Sequence, residues 1–164
     1  MSRPEVWLRG PLPDVPPLLM PAAHALAGAA EDIRAAAAEL TPEQLWSRPG
    51  GAASVGFHLR HVAGSLDRLL TYARGEPLTD AQMAFLHAEG EPGATAAELV
   101  RGVDDAVAMA LAQIRATDGD LLEPRAVGRM QLPSTVIGLL FHAAEHTQRH
   151  TGQIVTTARI VRGL

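Results

Sequence analysis

The strongest constraint on this chain is an apolar stripe in which Val55, Leu59, Val62, Leu66, Leu69, Leu70 and Ala73 recur at alternating four- and three-residue steps. That spacing lines up side chains on one face of an α-helix, whereas a half-buried strand repeats every two residues. A helix with one apolar face needs partners to cover it, and the sequence offers three. Leu99, Val103, Val107, Leu111 and Ile114 form a second inward stripe in a helix predicted from Thr95 or Ala96 to about Ala116. The segment Leu18 to Leu40 is rich in alanine, with Pro21 in its first turn, where a missing N–H costs little. A last helix is expected after Pro133, capped by Ser134 and running to about Val161.

Turn chemistry separates these helices. The striped helix is read as Ser54 to Arg74, stopped by Gly75. Thr41-Pro42-Glu43-Gln44 has the cap, proline and acid of a short helical turn, and Leu78-Thr79-Asp80 opens another through Leu86 or His87. Five prolines in the first seventeen residues exclude a helix there, so residues 1–15 are expected to be extended. Leu121 to Pro133 has no period and contains two prolines, and no segment reads convincingly as a strand. The expectation is an all-α single domain over 1–164, a four-helix bundle with short extra helices in its connections. Connections of roughly 15 to 20 residues after the second and third long helices exceed the ~2–8 usual between antiparallel neighbours, so at least one crossover is expected.

Composition removes several function classes. The chain of 164 residues can bury a core unaided, and it has no cysteine, so any metal must use nitrogen and oxygen ligands. Net charge is −4 and the arginines are scattered, which gives no footprint for nucleic acid. No apolar run approaches the ~20 residues of a membrane span, and no signal-peptide pattern opens the chain. A cytoplasmic, soluble protein acting on a small molecule is expected, with neither nucleic acid nor membrane as partner.

The histidines carry the chemistry. His142, His146 and His150 follow at four-residue intervals, each step turning about 40° around the helix, so neighbours overlie one another. Two imidazoles one turn apart can reach one transition-metal ion, which makes such a pair half of a metal site. All three span about 80°, so a set of two from this helix and one from another is easier. His58 and His61 can supply the third. On a helical wheel His58 lies about 60° from the centre of the apolar stripe and His61 about 120°, so periodicity favours His58. Glu145, about 100° from His146, is expected to face outward, and single histidines such as His24 and His87 are read as surface or satisfied core residues. The absence of a glutamate directly after the first histidine removes the zinc-peptidase motif.

Three segments bear a family resemblance. Ser54-Val55-Gly56-Phe57-His58-Leu59-Arg60-His61-Val62-Ala63-Gly64-Ser65-Leu66-Asp67-Arg68-Leu69-Leu70 resembles the second-helix signature of the DinB/YfiT-like superfamily. His142 to Ile154, with its His-x-Gly-Gln-Ile ending, resembles the fourth-helix signature, and Leu45-Trp46-Ser47-Arg48-Pro49-Gly50-Gly51 fits the segment before helix two. The resemblance implies an up-down-down-up bundle, usually a homodimer, with three histidines on a divalent metal. On matching positions the ligands are His61, His146 and His150, with His58 and His142 as pocket or cofactor-binding residues. The implied metal is a divalent transition metal, zinc or nickel, and the implied second cofactor a low-molecular-weight bacterial thiol. The leading reading is a metal-dependent thiol S-transferase. Its alternatives are a metal-dependent hydrolase and a non-enzymatic, stress-related metal- or ligand-binding bundle.

Overall fold

Threonine and serine caps set most of the helix starts. Thr41, Thr79 and Thr95 each open a helix with a reciprocal capping box, answered by Gln44, Gln82 and Glu98. The computed structural model describes residues 3–163. Its helices are α1 (Met20–Ala37), α2 (Pro42–Trp46), α3 (Val55–Ala73), α4 (Asp80–His87), α5 (Ala96–Ala116) and α6 (Val136–Arg162). Ser54 caps α3 by accepting a hydrogen bond from the Phe57 amide, and Gly163, at φ 74°, ends α6 in the left-handed conformation. No described helix is long and apolar enough to cross a membrane.

The long helices bury one another's stripes. α1 and α3 each pack against both α5 and α6. Val55, Leu59, Val62 and Leu66 on α3 are sealed from solvent together with Leu26 and Ile33 of α1, Val103 and Ile114 of α5, and Leu140 and Ile154 of α6. Each such side chain contributes roughly 1.5–3 kcal/mol by leaving water. On α5 the expected Leu99 and Leu111 are only half-buried, while Val100 and Ala110 take the fully buried positions.

Three expectations need correction. Pro124–Val127 and Leu132–Thr135 form an antiparallel hairpin, β1 and β2, where no strand was expected. Four-residue strands place only two side chains on each face, too few for a period to register, and a two-stranded ribbon tolerates Pro124 and Pro133 because both strands are edges. The hairpin also displaces the cap of α6. Ser134 pairs with Arg125 in the ladder, and it is Thr135 Oγ1 that accepts from the Gly138 amide at 3.1 Å. The N-terminal segment expected to be extended contains a 3-10 turn, Val6–Leu8, whose Val6 is buried, and its first two residues lie outside the described residues.

Candidate metal centre

Where α3 faces α6, histidine replaces leucine. On α3 the buried Leu59 and Val62 hold the core, and His58 and His61 flank them on the side facing α6. On α6 the buried residues directly after His146 and His150 are Thr147 and Thr151. Their hydroxyls donate to the carbonyls of Ala143 and Thr147, each at 2.8 Å, and so need no partner across the interface. Small satisfied side chains there leave room for imidazole rings.

His61, His146 and His150 each offer a ring nitrogen, and these atoms lie within 4.8 Å of one another. His61 Nε2 stands 2.9 Å from His146 Nε2, and the ring centroids of His146 and His150 are 4.6 Å apart. Two nitrogens each about 2.1 Å from one ion lie ~3 Å apart at ordinary coordination angles, so this donor set fits a transition metal. His58 Nδ1 lies 2.9 Å from His150 Nδ1, and Phe57 stacks on the His61 ring with the planes 11° apart.

Burial, reinforced by neighbouring imidazoles, pushes His150 down to about 4. Burial and the His61 imidazole also lower His58, and the same causes lower His146. Near neutral pH these rings are therefore uncharged, the form that binds a metal.

A carboxylate stands behind His61. Glu89, only 3% exposed, places Oε2 2.7 Å from His61 Nδ1, and Arg68 Nη1 lies 2.8 Å from the other oxygen. The Arg68 contact is a close ion pair outside hydrogen-bond geometry, and neither of its two atoms has a hydrogen-bond partner among the described residues. Burial pushes the Glu89 carboxyl up, but hydrogen bonding from His61 and the Arg68 guanidinium outweigh it and hold the carboxyl below its ordinary value. Sequence reasoning missed Glu89. It lies in the segment Glu89-Gly90-Glu91-Pro92-Gly93, which reads as a solvated chain break. The only signal was that Arg68 sits one turn after Gly64 on a face otherwise committed to packing.

The remaining candidates separate. His142 is exposed and its Nδ1 lies 3.1 Å from Glu145 Oε1, outside the three-nitrogen set. Glu145 also pairs with Arg149 at 2.6 Å, on the outer side of α6. His24 Nε2 lies 3.0 Å from the Gly10 carbonyl, away from the cluster. His146 opens onto a cleft of about 730 Å³ between α3, α4, α6 and the hairpin, lined by Leu69, Leu78, Met83 and Leu86 with Tyr72, Arg129 and His142. A hollow of similar size, about 750 Å³, lies under the N-terminal segment and includes none of the clustered histidines.

A helical bundle whose facing helices present a half-buried imidazole cluster to a cleft is a metal-binding type of scaffold. The family model of the DinB superfamily matches residues 25–154, and the chain belongs to that superfamily. Comparison with curated proteins gives no match.

Proposed function

We propose that His61, His146 and His150 hold one divalent transition metal, zinc or nickel, and that the protein is a metal-dependent thiol S-transferase. The observation that carries this reading is the set of three imidazole nitrogens, contributed by two helices, beside an open cleft. Three protein ligands leave a coordination position free, as catalytic sites require. A dication bound there would lower the pKa of a thiol or a water toward neutrality.

The chain's own residues do the rest. His58, through its contact with Nδ1 of His150, orients that ring, while Leu69, Leu78 and Met83 hold the apolar part of an electrophile and exclude water. His142 stands at the cleft wall, where it contacts the bound thiol or substrate. The helix order is up-down-down-up with a crossover. It is supported by His58 meeting His150 and His61 meeting His146, which sets α3 against α6 in opposite senses, and by Arg74 meeting Gln113 and Trp46 meeting Ala94, which sets α5 along α3. A homodimer in the cytoplasm, without nucleic acid or membrane partner, completes the proposal.

The test is metal content per chain in tag-free protein purified without chelator, beside His146→Ala/His150→Ala, followed by thiol conjugation with a panel of electrophiles. Near one metal per chain, lost in the double variant, together with metal-dependent conjugation, is expected. Metal uptake with ester or amide hydrolysis and no conjugation replaces the transferase reading by the hydrolase. No uptake after zinc and nickel reconstitution overturns both.

A further inference from the structure

We infer that Glu89 is a positioning residue: its carboxylate accepts a hydrogen bond from His61 Nδ1–H and thereby fixes Nε2, the atom facing His146, as the bare nitrogen. A neutral imidazole carries one N–H and one lone pair, and the partner at one nitrogen decides the state of the other. Here that partner is Oε2 of Glu89 at 2.7 Å.

A carboxylate buried to 3% exposure in a loop needs a reason, since burying such a charge is costly unless it is well paired. The surroundings are arranged for it. Arg60 Nη1 donates to the Ala88 carbonyl at 2.7 Å, and Trp46 Nε1 donates to the Ala94 carbonyl at 3.2 Å, so α3 and α2 tie down the two ends of the loop. Arg68, its side chain 10% exposed, supplies the countercharge. At Gly64 a Cβ would stand 2.7 Å from Arg68 Nη1 and 2.8 Å from Glu89 Oε1, so only glycine leaves space for the pair. A glycine inside a helix is destabilising relative to alanine. A surface ion pair would need none of these accommodations.

The test begins with the metal-free, full-length wild type. Two-dimensional ¹⁵N correlation spectra of the His61 ring, assigned with His61→Gln, are recorded at about pH 8, above the ordinary imidazole pKa. The Nδ1–H tautomer is expected in wild type and in Glu89→Gln, which keeps an acceptor oxygen, and it is expected to be lost in Glu89→Ala. An Nε2–H tautomer in wild type, or an unchanged tautomer in Glu89→Ala, overturns the inference. A purely structural ion pair would leave the tautomer alone.

A second arm rests on the proposed metal site. Zinc affinity, measured by competition with a chromophoric chelator, should fall roughly 10–100-fold in Glu89→Ala and less in Glu89→Gln. Equal affinity in wild type and Glu89→Ala counts against the positioning role. A wild type that takes up no zinc overturns the metal reading instead, and the tautomer still decides the role of Glu89.

Discussion

Acidifying the metal-free protein below about 6.5 should weaken it, and His150 should account for much of the loss. Its folded pKa is about 4, against roughly 6.5 for a free imidazole. Between those two values the unfolded chain binds a proton that the folded chain refuses. Stability is therefore fully present above about 6.5 and is lost as pH falls toward 4. At ~1.4 kcal/mol per pKa unit the full displacement sets a ceiling of about 3 kcal/mol, and solvent screening of a half-buried ring reduces it to about 1–2 kcal/mol. His58 and His146, lowered in the same direction, add to the effect. The assay is urea unfolding of wild type and His150→Gln in chelator, at several pH values from about 7 down to about 4.5. Carboxylate titration, including that of Glu31 and Glu89, which are held low, and of Asp32, which burial raises, is common to the two proteins and cancels in the comparison. Wild type should lose stability more steeply than the variant. Parallel pH slopes would show that His150 is not held neutral by its surroundings.

Other perturbations test the scaffold. In Gly56→Ala the new Cβ would stand 2.7 Å from the Trp46 ring, which is pinned by its bond to Ala94, so a loss of about 1–3 kcal/mol is expected in chemical unfolding. Leu66→Ala, at a fully buried α3 position, should cost about 2–5 kcal/mol in the same measurement, without altering metal stoichiometry. Thr135→Ala removes the α6 cap and should cost about 0.5–2 kcal/mol, whereas Ser134→Ala should cost little. Zinc at about 100 times its dissociation constant should stabilise wild type by ~2.7 kcal/mol and leave His146→Ala/His150→Ala unmoved, read as a shift in Tm.

What could be read from the sequence follows from the range of each signal. The helices were legible because seven or more apolar residues repeat along α3, and because caps such as Thr41, Thr79 and Thr95 act within four residues of themselves. The hairpin was not, since its information lies in pairing between Pro124 and Thr135 rather than within either strand. The wheel correctly ranked His58 as the more buried of its pair, at 6% exposure. Burial was the wrong criterion for the cluster. The nitrogens converge at the edge of the stripe, where α3 turns toward α6 and the cleft begins, and His61 occupies that edge. Glu89 reaches His61 across 28 residues of chain, through a loop whose composition says only that it turns. No local pattern encodes such a contact.

The hairpin assigns the two sides of the cleft different evolutionary freedoms. One side is α3 and α6, where every change of register would carry a histidine out of reach of its neighbours. The other includes the turn between β1 and β2, with Arg129 and Gln131, supported only by its own ladder and a short contact with the helices. Residues there can be replaced, or the turn lengthened, while the imidazole cluster stays in place. The cleft wall can thus vary at the turn, through Gly128, Arg129 and Gln131, while the imidazole cluster across from it remains fixed.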